Sequence, residues 1–249
     1  MELTANQIKE NWDRFIEIIS NEFPTRKTAL LQMYNELEER AILAPASSYE
    51  FFHNAIPGGY IDHVLRVYDF TLKHYKMWEE CGFDFNFDLE ELKFAAIHHD
   101  LGKLGLPGDG HEHYQPETEK WWRENKGRLY KANPINSRLR TSDSTFYLLN
   151  YYNIKYSLNE MIGIRLTDGL YDKSNEYYLI TFDLEDKLKN SMSYILQSAD
   201  MMATRFEFER WLQSKNGIVK KEQKPKKALS IETSTDALDT FNKLFGDLA

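Results

Sequence analysis

The sequence predicts an all-α fold, and three observations carry that expectation. Apolar residues recur at three- and four-residue spacing in one segment after another, the pattern of helices that bury a single face. Strand signals are few, Tyr177–Phe182 (YYLITF) being the best short candidate. A hydrophobic content of 42% with 14% aromatics in 249 residues is enough for a packed core in one helical domain with some appended segments. No fixed-period repeat is apparent.

Taken in order, residues 3 to 42 read as two helices broken at Phe23-Pro24-Thr25, with Thr25 placed to cap the second. Further helices are expected at 60–80, 88–101, 116–126, 142–152, 157–168 and 184–213. In the first of these, Ile61, Leu65, Tyr68, Leu72 and Tyr75 form one stripe, while His63, Val67, Phe70 and His74 form another on the opposite side. A helix apolar on two sides belongs at the centre of a domain. After Trp211 the composition changes. Lys215, Lys220, Lys221, Lys224, Lys226 and Lys227, with Pro225, mark residues 214–234 as a flexible basic linker. Residues 235–249 then read as an acidic amphipathic helix with Leu238, Phe241, Leu244, Phe245 and Leu248 on one face. It either docks in a groove on a protein partner or folds back on its own domain, which spans residues 1–213.

The chemistry concentrates in Ala95-Ala96-Ile97-His98-His99-Asp100-Leu101-Gly102-Lys103. Leu89, Leu92, Ala96 and His99 share helical spacing, so His99 continues an apolar stripe and points inward. Asp100 is turned roughly 100° away on an ideal helix, but at a helix end both side chains can converge on one ion. Two other polar residues sit on strongly apolar helix faces, His63 and Asp200. An unpaired carboxylate in such a place costs several kcal/mol, so Asp200 should meet a cation, a metal or strong donors.

In order along the chain, His63, then His99-Asp100, then Asp200 resemble the H…HD…D signature of the HD-domain metal-dependent phosphohydrolases, and Gly58-Gly59 and Gly102-Lys103 are also similar to that superfamily. The resemblance spans about residues 50–212 and implies a helical-bundle core. Segments through Tyr114 and from Arg165 to Tyr178 look like HD hydrolases encoded by tailed bacteriophages. It implies His63, His99, Asp100 and Asp200 as ligands. Imidazole with carboxylate suits a divalent Mn, Fe, Co, Zn or Mg ion. Some two-metal HD enzymes carry extra histidines before the last Asp. Ile164–Leu170 (IRLTDGL) has none, which favours one metal, although His111, His113 and Asp168 remain available for a second.

Gly105–Pro116 (GLPGDGHEHYQP) reads as a loop directly after the metal pair. Its Asp109, His111, Glu112 and His113 are candidates for acid/base catalysis or phosphate contacts, with His98 a structural or supporting residue. Lys103 and Arg66, each about one turn beyond a ligand, are candidate anion contacts, and Lys103 a candidate catalytic group. HD 5′-nucleotidases place a Glu where this chain has Lys103, a departure that counts against a simple nucleoside monophosphatase and leaves the substrate open. Between Lys120 and Arg140, seven basic residues, Arg138 and Arg140 among them, alternate with Trp121, Trp122 and Tyr130. That pattern fits nucleotide or single-strand binding as readily as a solvated helix face.

A net charge of −8 argues against broad affinity for nucleic acid, without excluding a local site. No leader or membrane helix is visible, and one cysteine, Cys81, forms no internal disulfide, so a cytoplasmic protein is expected, in the host cytoplasm if phage-encoded. The sequence thus points to a metal-dependent phosphohydrolase acting on a nucleotide or related phosphate ester. The alternatives are a phosphodiesterase for cyclic or oligomeric nucleotides, and a metal-binding adaptor docking a partner through residues 235–249. That segment is similar to the sliding-clamp-binding peptides of some phage replication proteins.

Overall fold

The computed structural model describes residues 2–216. Helices dominate it, and the one sheet among the described residues has two strands, so the fold is all-α. Helix α1 (Ala5–Glu22) opens on a reciprocal cap, Thr4 accepting from the Gln7 amide while the Gln7 side chain bonds the Thr4 backbone, and it buries Phe15 and Ile19.

The second expected helix is two, α2 (Lys27–Glu36) and α3 (Glu38–Leu43). They divide at Leu37, which leaves helical geometry at φ −102°, ψ 9°. Thr25 does not cap α2. Arg26 stands at that position and caps nothing with its side chain. Its guanidinium turns inward instead, 3.8 Å from the centre of the Phe94 ring, and bonds Glu160 at 2.7 Å and Glu90 at 2.9 Å.

Helix α4 (Gly59–Glu80) is central, as its two apolar stripes require. Ile61, Leu65 and Tyr68 enter the main core, and Val67 packs on the other side with Ala199 and Ala203 of α10 (Met192–Asn216). Helix α5 (Leu89–His98), capped reciprocally by Asp88 and Glu91, packs on α4 and on α8 (Leu158–Arg165), itself capped by Ser157 and Glu160. Helix α7 (Thr141–Tyr151) packs against the 3₁₀ turn Leu101–Leu104 that follows α5. One continuous core joins Phe15, Tyr34, Tyr60, Phe94, Ile97, Leu148 and Ile195. Each such side chain contributes about 1.5–3 kcal/mol by leaving water.

Three segments depart from expectation. Tyr114–Pro116 (β1) pairs antiparallel with Tyr130–Ala132 (β2), Tyr114 opposite Ala132, which delays the helix expected from 116 to α6 (Lys120–Lys126). Tyr177–Phe182 forms no strand. Its first residues belong to a helical turn, α9 (Glu176–Leu179), and Tyr177 and Phe182 lie exposed with no strand edge among the described residues paired to them. The last long helix begins at Met192 rather than 184 and runs into the first residues of the expected linker. The rest of that linker and the expected helix 235–249, with its clamp-like similarity, lie outside the described residues. No described helix is long and apolar enough to cross a membrane.

Candidate metal centre

The centre is built where α5 stops. His99 keeps helical geometry (φ −56°, ψ −35°), Asp100 leaves it (φ −110°, ψ 12°), and the chain tightens into the 3₁₀ turn. That change undoes the divergence a continuous helix would impose on the two side chains. Gly102 makes the turn possible: its N–H donates to Thr145 Oγ1 at 2.8 Å, and a Cβ there would overlap the Thr141 carbonyl oxygen of α7.

His63 from α4 and Asp200 from α10 meet this turn. His63 Nε2 lies 3.2 Å from Asp200 Oδ1 and 3.6 Å from Asp100 Oδ2, and His99 Nε2 lies 3.4 Å from Asp100 Oδ2. One donor atom each from His63, His99 and Asp200 falls within a 4.8 Å span, and the same holds for His53, His63 and Asp100. Buried groups so arranged can hold a metal ion. Bonds of about 2.1 Å at right angles put neighbouring ligand atoms about 3 Å apart, close to the spacings here.

The imidazoles are oriented from behind. His99 Nδ1 donates to the Ala96 carbonyl at 2.7 Å, and His63 Nδ1 faces both oxygens of Glu207 at 3.1 and 3.2 Å. With the proton on Nδ1, each Nε2 presents a lone pair. Both Nε2 atoms are buried, and among the described residues neither makes a hydrogen bond despite the nearby carboxylates. Lone pairs facing carboxylates repel unless a proton or a metal ion stands between them. With no metal, a proton serves: burial disfavours the charged imidazole, but Glu207 and Asp200 outweigh it and raise the His63 pKa to about 10. Burial likewise opposes ionisation of Asp100, yet Lys103 and His99 hold it well below the usual carboxylate range. Asp200 is lowered against burial by His63.

The other expected residues divide. Lys103 is at the centre, its Nζ 2.6 Å from Asp100 Oδ2 and 3.4 Å from His53 Nε2. It lines a cavity of about 450 Å³ together with Asp109, Glu112 and His113. His111 is not brought to it, because its Nδ1 is held by Asn136 at 2.7 Å. Arg66 is not a free anion contact: it bonds Asp62 at 2.8 Å and Glu207 at 2.5 Å, on the Nδ1 side of His63. Arg138 is exposed, Arg140 pairs with Asp172 at 3.4 Å, and neither lines a cavity described here. Trp122 is covered by Arg128 (3.9 Å to its ring), which is anchored on buried Glu117, so the protein itself already occupies that stacking face.

Two residues at the centre were not foreseen. Glu207 lies seven positions after Asp200, hence on the same face of α10, a spacing visible in the sequence. His53 comes from an irregular segment, its ring 4.8 Å from that of His63, and no periodicity marks it. Comparison of the chain with protein-family models, curated proteins and solved structures returned no match.

Proposed function

We propose that the chain is an HD-type metal-dependent phosphohydrolase that cleaves a phosphoester or phosphoanhydride of a nucleotide. One observation carries the reading: two buried imidazole Nε2 atoms, each fixed as a lone-pair donor from behind, face two carboxylates and lack hydrogen bonds. The donor set fits a divalent ion, with His63, His99, Asp100 and Asp200 as its holders. When bound, such an ion supplies Lewis-acid polarisation of a phosphoryl oxygen and activation of water.

The chain's own groups do the rest. Glu207 and the Ala96 carbonyl keep the protons of His63 and His99 on Nδ1. Lys103 keeps Asp100 ionised and places an ammonium beside the centre, where it meets phosphate oxygens. His53 stands next to Lys103 on the side that opens to a cavity.

The test is metal content and turnover together. Protein loaded with Mn or Co should hydrolyse members of a nucleotide panel, and Asp100→Ala should abolish turnover and metal retention without loss of helical signal. Metal bound in stoichiometric amount with no turnover of any nucleotide would refute the hydrolase reading in favour of an adaptor.

A further inference from the structure

A cavity of about 690 Å³ opens beside Asp200 and His53, so one wall belongs to the metal centre. Its other walls carry Phe51, Phe52, Tyr171 and Phe208. Phe51 and Phe52 meet edge to face (5.0 Å between centroids, 81°) and stay 40% and 46% exposed, large apolar surface left in water immediately before His53 in the chain. Polar groups on the walls include Asp168 and Gln197, whose side chains make no hydrogen bond within the described residues. Gln197 is set by Gly169 (φ +51°), where a Cβ would occupy the place of its amide. Arg205 is the one lysine or arginine on the walls among the described residues, and it is paired with Glu209 on its own helix.

Resting on the hydrolase reading above, we propose that this cavity is the leaving-group subsite, and that the group it takes is a flat, uncharged ring system bearing an amino or ring N–H donor, as in a nucleoside. The aromatic walls supply stacking faces, and the Asp168 carboxylate and Gln197 carbonyl accept from the ring's donors. Because no free cation among the described residues lines the cavity, a charged polyphosphate or sugar phosphate finds no counter-ion from them there. The leaving group is therefore a neutral alcohol, and the phosphoryl group cut from it stays at the centre. Water oxygen bonds to phosphorus, the bond from phosphorus to the alcohol oxygen breaks, and the water's protons end one on that oxygen and one on the released phosphate.

The experiment measures binding of adenosine and of ribose, and turnover of AMP and of ribose 5-phosphate, on the full chain, Asp100→Ala and Phe51→Ala/Phe52→Ala. Adenosine should bind the full chain and Asp100→Ala alike, and ribose neither. The double variant should keep its metal content and lose adenosine affinity at least about tenfold, the scale of one lost base stack. AMP should be preferred over ribose 5-phosphate through KM. Failure of adenosine to bind, adenosine binding undiminished in the double variant, or equal KM for the two esters overturns the subsite. If adenosine binds as expected while no ester is turned over, the cavity stands as a ring-binding site, and the hydrolase reading falls together with the cavity's leaving-group role.

Discussion

Glu207→Gln separates the orientation of His63 from its mere presence. Glu207 Oε2 accepts from His63 Nδ1 at 3.1 Å, while Oε1 serves both His63 at 3.2 Å and Arg66 at 2.5 Å. A glutamine of the same shape offers one carbonyl oxygen and one amide nitrogen. If its oxygen stays on Arg66, its NH₂ faces His63 Nδ1 and drives the imidazole proton to Nε2, where it blocks coordination. Arg66 is not stranded by the change, because Asp62 still holds it at 2.8 Å, so the fold should survive. Loss of such an orienting partner lowers metal affinity about 10–100-fold, or about 1.4–2.7 kcal/mol. Calorimetric titration with Mn against a competing chelator reads this directly, with circular dichroism as the control for folding. An affinity equal to the parent's in a folded variant would refute the argument that Glu207 sets the tautomer.

Other consequences follow from the same geometry. Burial holds His98 neutral, with its pKa lowered to about 3, whereas in the unfolded chain it titrates near about 6.5. The unfolded state binds the extra proton as pH falls below that value, so this stability is full above about pH 6.5, drains away toward pH 3, and is down by about 2 kcal/mol at pH 5. Urea unfolding of the parent and of His98→Leu should show the parent losing more stability between neutral pH and pH 5; parallel losses would contradict it. Gly102→Ala forces the 3₁₀ turn off α7 and should cost about 1–3 kcal/mol together with metal binding, measured by thermal melting and metal analysis. Arg26→Met leaves the Glu160 carboxylate buried without its ion-pair partner and should cost about 3 kcal/mol in denaturant unfolding; Arg26→Met/Glu160→Gln should recover most of it.

Sequence reasoning reached what periodicity and cost make visible. The double stripe on Tyr60–Tyr75 marked the central helix, and a carboxylate on the apolar face of α10 is expensive enough that Asp200 announced the need for a partner. Termini and irregular segments were less legible. Leu37 divides a helix without proline or glycine, and Arg26 stands at the capping position with its guanidinium on Phe94 and Glu160 rather than on the helix end. The pairing of Tyr114–Pro116 with Tyr130–Ala132 joins two three-residue runs too short to show alternation. Side chains that serve through tertiary pairing were misjudged for the same reason. Arg66 has the right spacing for a phosphate contact, but Asp62 and Glu207 claim it, and His111 lies in the right loop but is bound by Asn136. His53 sits in a stretch with no periodicity at all, so nothing local pointed to it.

Helix α10 carries Gln197, Asp200, Glu207 and Phe208 on one rigid rod, clamped to α4 through Val67, Ala199 and Ala203. A repacking that tilts this rod shifts Asp200 and the cavity wall together, so neither can be retuned alone from that side. Phe51 and Phe52 sit on a short irregular stretch outside any helix. Natural drift or design can reshape the cavity most readily there, because exchanging those two rings leaves the helices that carry His63 and Asp200 untouched.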